Sequence, residues 1–327
     1  MKKVLIVVLV LLMSVGIFCS CGKTEESQKI TLSEVTHSVF YAPQYAAIKL
    51  GFFKDEGIDL ELINGGGADK VMTSVLTGEA QIGLAGPEAC IYVLLEGHEN
   101  PPKVFAQLTQ RDGAFIVGRT REDFTWESLC GKTIIGGRKG GVPEMALEYV
   151  MKNAGVEPGV DAEVDTSVQF NMMAGAFTGG TGDYVALFEP TATEVENAGQ
   201  GYILTSVGQY GGEIPYTAYF AAESYIKEHE EVIQGFANAV ARGQKWVMEH
   251  SDREVAEAIA EFFPDTSIDV LEKVCTRYKS IDAWCKNPVM SEMALKNLET
   301  VMESAGELSA RVEFEALVDN SFAEKAK

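Results

Sequence analysis

Positive charge is what this sequence is short of. Lys plus Arg number 27 against 48 Asp plus Glu, a formal net charge of −21, which argues against nucleic acid and against an anionic membrane surface as partners. The acidity is spread along the chain and not gathered in a tail, so it reads as a solubility feature. Histidine is scarcer still. His37, His98, His229 and His250 lie far apart, and His229 has no second histidine four residues on. With no Cys-x-x-Cys, Cys/His cluster, H-E-x-x-H or EF-hand loop, no metal is expected. G-x-S-x-G and Walker A are also missing, and glycine-rich 136–141 departs from G-x-G-x-x-G, so neither a catalytic serine nor a nucleotide cofactor is expected. Heptads, low-complexity blocks and exact repeats are absent too.

The one long apolar run covers residues 4–18, after Lys2 and Lys3 and before polar 23–28. It is too short and wrongly flanked for a lasting membrane span and reads, with residues 1–20, as a leader. Its end, Phe18-Cys19-Ser20-Cys21-Gly22, is similar to a bacterial lipobox, in which a cysteine after the cut takes a diacylglycerol. Cys21, preceded by small Ser20, fits best, and Cys19 is the alternative. Acyl chains would tether the chain to a bilayer through the anchor alone, each buried CH₂ contributing ~0.8 kcal/mol. Removing residues 1–20 takes two lysines away, so the charge becomes 25 − 48 = −23. Beyond the anchor remain Cys90 and Cys130, expected as buried thiols, and Cys275 and Cys285, which are expected reduced, a disulfide being the alternative.

What the chain has in quantity is strands that end in glycine or proline and open a helix. Residues 82–85 form an apolar strand; Gly86, Pro87 and Glu88 then stop it and start a helix. Glycine permits any backbone angle, and proline suits a first helical turn. A helix N-terminus at the carboxyl end of a buried strand is where open α/β sheets bind small molecules. Strand 30–35 followed by Pro43, and alternating 58–62 followed by Gly65, Gly66 and Gly67, repeat the pattern, as do 133–135 with 136–144 and 184–188 with Glu189 and Pro190. Parallel strands with helical crossovers keep such openings on one edge. Residues 104–108 read as a strand broken at 110–113, after which a second lobe begins; 216–221 read as a strand returning across that lobe. From 228 on, amphipathic helices follow, one opening with the capping box of Ser251 and Glu254.

Residues 40–62, 65–72, 76–89, 131–145 and 184–192 together resemble bacterial solute-binding proteins of the sulfonate, nitrate and thiamine-precursor group, which share a domain with the yeast enzymes that form the thiamine pyrimidine. The most specific signal is Gly51-Phe52-Phe53-Lys54-Asp55-Glu56-Gly57 followed by 76–83. The resemblance implies an α/β, two-lobed type II periplasmic-binding-protein fold, each lobe a βα sheet, with a helical C-terminal section. It implies delivery of a small solute to the permease and ATPase of an ABC importer, by a monomer lipid-anchored on the extracytoplasmic face, with no cofactor. The expected division is leader 1–20, tether 21–29, first lobe 30–112, second lobe 113–228, and helices 229–327 completing the first lobe, with hinges near 111–114 and 224–230.

Carried over onto this sequence, the pocket would take Phe40, Tyr41, Gln44, Tyr45, Gly66, Gly67, Gly86, Pro87 and Glu88 from the first lobe. The second would supply Gly137, Arg138, Gly140, Gly141, Phe170, Phe188 and Glu189, with Tyr216 nearby. The enzyme branch carries a C-C-C-F-C motif that nothing here matches. Two glutamates among aromatics favour a flat, amine-bearing heterocycle such as a thiamine pyrimidine precursor, since rings stack and carboxylates accept from N–H groups. Arg138 and Lys139, with the helix openings, make a sulfonate or nitrate the runner-up.

Overall fold

The structure, a computed structural model, describes residues 27–327; the leader and the two lipobox cysteines lie outside them. The first lobe opens with β1 (Gln28–Glu34), α1 (Ala42–Lys49), α2 (Phe52–Asp55), β2 (Ile58–Asn64), α3 (Ala68–Leu76), β3 (Ile82–Ala85), α4 (Glu88–Leu95) and β4 (Pro102–Thr109). The second contains β5 (Phe115–Gly118), β6 (Thr133–Ile135), α5 (Val142–Asn153), β7 (Glu163–Asp165), α6 (Met173–Thr178), β8 (Tyr184–Leu187), α7 (Thr191–Asn197), β9 (Tyr202–Ser206) and α8 (Val207–Gly211). The chain ends with β10 (Thr217–Ala222), α9 (Glu223–Glu228), α10 (Glu230–Glu249), α11 (Asp252–Ile259), α12 (Ile268–Ser280), α13 (Glu292–Ser304) and α14 (Phe314–Leu317).

These strands make two five-stranded sheets, ordered β2-β1-β3-β10-β4 and β7-β6-β8-β5-β9. β1 runs parallel to β2 and β3, whereas β10 is antiparallel to β3 and β4. In the other sheet β6 runs parallel to β7 and β8, and β5 is antiparallel to β8 and β9. Each sheet therefore has one reversed strand, and in each it is the strand that has just crossed from the other lobe. This corrects three expectations. Strand 216–221 belongs to the first sheet; the second lobe ends before β10 and not at 228; and the second crossing runs through 207–216, not 224–230. The two crossings are laced together, with Val207 N–H donating to Ala114 O (3.0 Å), Ile214 N–H to Gln110 O (3.1 Å) and Tyr216 N–H to Thr109 O (3.1 Å). The tether is also shorter than expected, since Gln28 and Lys29 already pair with Ile58 and Asp59.

The C-terminal helices cover the first sheet. α10 buries Ile233, Phe236, Val240 and Val247 along one face, the spacing that an amphipathic helix requires. Its Gly243 lies so close to the Pro43 carbonyl and Ala47 that a side chain would collide with backbone. Phe236 packs against Phe53, Phe105 and Tyr219, and deleting such a ring costs roughly 3–5 kcal/mol. α11 carries the expected capping box of Ser251 and Glu254. Part of the second lobe has a core of its own, with Ile116, Trp126, Leu129, Ile134, Leu147 and Val150 among its members. Cys90, Cys275 and Cys285 are free and buried; Cys130 is free but exposed, because it follows the short turn Trp126–Leu129 at the surface.

Candidate functional site

Both sheets direct their strand-to-helix turns into the space between the lobes. After β1, Ser38 caps the short helical turn Val39–Tyr41, accepting from Phe40 N–H (3.2 Å) and donating its hydroxyl to the Glu189 carbonyl of the other lobe (2.7 Å). After β2, Gly66 at φ 72° and Gly67 open α3. After β3, Gly86 and Pro87 open α4; a side chain at Gly86 would strike the Glu88 carboxylate, so glycine lets that carboxylate fold back. From the second lobe, Gly141 starts α5, and Pro190 starts α7. The space among these turns is an open cleft of about 980 Å³.

Phe40, Phe188, Phe170 and Tyr216 form its aromatic wall. Phe40 stands edge-on to Phe188 (5.5 Å between centroids) and to Tyr216 (5.6 Å), and Phe170 leans on Phe188 (5.5 Å). Inside the cleft is Glu88, only 2% exposed, whose Oε2 has no hydrogen-bond partner among the described residues. Burial pushes this carboxyl up to about 7; its own amide, the Val142 amide from the opposite lobe and Arg138 pull the other way. Tyr41 is buried beside it and held neutral, by burial first and then by Glu34 and Glu88. The Tyr216 hydroxyl is likewise buried without a partner among the described residues, and burial followed by the charge of Asp112 raises its pKa. At the mouth, Arg138 of the second lobe faces Asp69 of the first at 3.8 Å, with Lys70 next to it.

Of the residues expected in the pocket, Phe40, Tyr41, Gly66, Gly67, Gly86, Glu88, Arg138, Gly141, Phe170, Phe188 and Tyr216 line this cleft. Gln44, Tyr45, Pro87, Gly137, Gly140 and Glu189 do not. Gln44 and Tyr45 are buried behind the wall, where both donate to the Glu34 carboxylate (2.7 and 3.0 Å) and Gln44 accepts from Tyr219. Gly140 is turned to the far side, its carbonyl accepting from Tyr92 (3.0 Å) and its N–H donating to Glu144. Glu189 lies on the wall of an adjoining cavity instead. Its carboxylate caps α7 through the Thr193 amide and hydroxyl (2.8 Å each) and takes Arg277 of α12 at 2.5 Å. Burial still raises its pKa, against the pull of Arg277 and Thr193. A carboxylate with these partners is closing its own helix, not waiting for a ligand. The sequence reading also passed over Ser38, Asp69, Lys70, Gln169 and Thr217, which line the cleft, and the buried carboxylates Glu34 and Asp112. Asn64 accepting from Gly66 N–H (3.0 Å) marks the turn that carries Asp69 and Lys70.

A second cavity of about 650 Å³ adjoins the first, sharing Thr36, Ser38, Phe170 and Phe188 with it. His37 lies on its wall, with Nδ1 3.0 Å from Glu34 Oε1 and Nε2 donating to the Phe262 carbonyl at 2.8 Å. The hydrogen bond to Glu34 is the main reason its pKa is raised, with burial opposing. No cluster among the described residues has the side chains to hold a metal ion, and no described helix is long and apolar enough to cross a membrane.

Comparison with known proteins agrees with this architecture. The family described as NMT1/THI5-like matches residues 39–254. A protein of Bacillus subtilis (strain 168), YtlA, described as a candidate binding protein, is 42% identical over 307 residues, covering 94% of this chain and 92% of the relative. The alkanesulfonate-binding protein SsuA from Xanthomonas axonopodis pv. citri, solved with MOPS bound, superposes with a TM-score of 0.72 at 14% identity, covering 89% of this chain and 98% of that one. The periplasmic nitrate-binding protein NrtA from Synechocystis PCC 6803 gives 0.70, also at 14%, covering 92% and 88%. At those identities the two structures speak for the two-lobed fold and not for the ligand.

Proposed function

The chain belongs to the NMT1/THI5-like family, and from that premise we propose that it is the solute-binding component of an ABC importer. It works as a monomer outside the cytoplasm, held to the membrane by an acylated Cys21 or, failing that, Cys19. The two hydrogen-bonded crossings act as the hinge, and solute is captured by closure of the lobes over the aromatic wall.

The ligand reading rests on one observation: Glu88, a buried carboxyl without a full set of partners, lies in the same cleft as Phe40, Phe188 and Tyr216. A flat heterocycle bearing an amine supplies what this group lacks, an N–H donor, and stacks where the rings are. A thiamine pyrimidine precursor is the proposed example. Binding without turnover is the consistent outcome, because no lining side chain is a nucleophile paired with a base, and Cys90 and Cys275 are buried with their thiols pushed up by burial. Arg138 and Lys70 at the mouth support the sulfonate or nitrate alternative, but Arg138 already faces Asp69.

Calorimetric titration with 4-amino-5-hydroxymethyl-2-methylpyrimidine, methanesulfonate and nitrate at neutral pH tests the reading. Heat from the pyrimidine alone is expected. Tight methanesulfonate binding with no heat from the pyrimidine would replace the heterocycle by the anion.

A further inference from the structure

Two of the helix openings around the cleft find partners within their own lobe. Glu189 and Thr193 close α7, and Asn64 takes the Gly66 amide ahead of α3. α5 is different. Glu144 takes the Gly140 amide, but the helix starts at Gly141 with no side chain capping it, and Gly141, Val142 and Arg138 all face the cleft. Twelve residues long, α5 presents a full dipole there. Uncapped amides with an arginine beside them are what binds an anion in general. Glu88, delivered by the first lobe, lines the same cleft; it is nearly inaccessible, its Oε2 is unpartnered among the described residues, and the Val142 amide and Arg138 both act on its carboxyl.

We propose that Glu88 is the specificity-determining charge filter of this cleft: its carboxylate fills, from the opposite lobe, the anion position made by the start of α5 and Arg138. The inference rests on the solute-binding reading and adds to it the charge of the solute. Anions are turned away, because two negative groups would share one set of donors in a poorly solvated space. Neutral N–H donors and cations are accepted, because they find the carboxylate oxygen that lacks a partner.

The filter depends on the charge of Glu88, so its surroundings matter. Arg138 from the second lobe, Tyr41 from the turn after β1, Tyr216 at the start of β10, and Cys90 and Tyr92 on α4 act on it or feel its charge. Asp69 and Lys70 stand at the mouth. Burial keeps the tyrosines and the thiol neutral. Burial also pushes Glu144 at the start of α5 and Asp112 behind Tyr216 up to about 7, so three carboxyls, Glu88 among them, change charge here between pH 5.5 and 8. His37, on the second cavity's wall, is a further titratable group nearby, its pKa raised by the hydrogen bond to Glu34, so a pH effect belongs to the filter only where it vanishes with Glu88.

The probe is methanesulfonate, titrated calorimetrically against the full chain and its Glu88→Gln and Glu88→Asp variants at pH 8.0 and 5.5. At pH 8.0, Glu88→Gln should bind it at least tenfold more tightly than wild type, while Glu88→Asp, which keeps the charge, should stay with wild type. At pH 5.5 wild type should approach Glu88→Gln, whose own affinity should change little. Equal affinities of wild type and Glu88→Gln at pH 8.0 would overturn the filter, and so would an equal gain in Glu88→Asp. The pyrimidine titration separates the two claims: a silent pyrimidine with a gain in Glu88→Gln removes the heterocycle and keeps the filter, and the reverse result does the opposite.

Discussion

Replacing Asp112 by Asn should stabilise this protein at alkaline pH. Asp112 ends the first crossing between the lobes and is 1% exposed. Its Oδ1 accepts from the Ala114 amide at 2.6 Å, whereas Oδ2 has no partner among the described residues. Burial pushes the carboxyl from an ordinary 3.8 up to about 7, although the Ala114 amide pulls the other way. A folded-state value above the unfolded one means that the folded chain keeps a proton the unfolded chain has released. Stability is therefore lost as pH rises from about 4 to about 7, and the deficit is complete above that. Three units at 1.36 kcal/mol each set the deficit at roughly 4 kcal/mol. Asn keeps the acceptor for Ala114 and has no charge to bury. At pH 8 the variant should melt roughly 6 °C above wild type for a chain of this size, and the gain should shrink steadily toward pH 4. Scanning calorimetry of both proteins across that range decides it. A gain that does not vary with pH, or a variant less stable at pH 8, would show that Asp112 is not a buried charge in the folded protein.

Other expectations follow from the same geometry. Arg277→Met should leave Glu189 buried without its cation and cost about 3–5 kcal/mol; a loss below 1 kcal/mol in urea unfolding would mean that Glu189 turns to solvent instead. Phe188→Ala should open the wall between the two cavities and weaken pyrimidine binding roughly tenfold, with unchanged affinity placing the ring elsewhere. His37, whose pKa is raised by Glu34, contributes stability that is complete below about 6.5 and is lost as pH rises through its folded value. A His37→Asn variant should flatten that part of the melting profile, and a profile identical to wild type would count against the His37–Glu34 pair. Small-angle scattering should show compaction when saturating pyrimidine is added, and superimposable curves would exclude closure about the two crossings.

The turns around the cleft were legible because glycine and proline punctuate strand ends whatever the strand later pairs with. Gly86-Pro87-Glu88 and Gly141-Val142-Pro143 lie where the sequence puts them, as do Phe40 and Phe188. Partnership over distance was not legible. Glu189 carries every local mark of a pocket residue, but its carboxylate is engaged by Thr193 and by Arg277, 88 residues on. Residues 216–221 read as a strand, but alternation cannot say which sheet takes it in. Strands β7 and β9 passed unnoticed because they lie at sheet edges and are only partly buried. Glu34 and Asp112 look like surface carboxylates in the sequence; what buries Glu34 includes the consecutive Gln44 and Tyr45 of α1, and what buries Asp112 includes the backbone of Gly208 from the second crossing.

The reversed strand β10 sets the order in which this molecule can assemble. Residues 113–207 hold all five strands of the second sheet in one continuous stretch, whereas the first sheet must wait for Thr217 and beyond. Ala218 pairs with Ala85 and Gln107, contacts of long sequence separation whose loop-closure entropy is lowered once the intervening lobe has condensed. The lobe that begins first is thus completed last. A chain that stops short of Thr217 leaves β3 and β4 with bare, buried-type edges facing one another, and such edges pair with other chains.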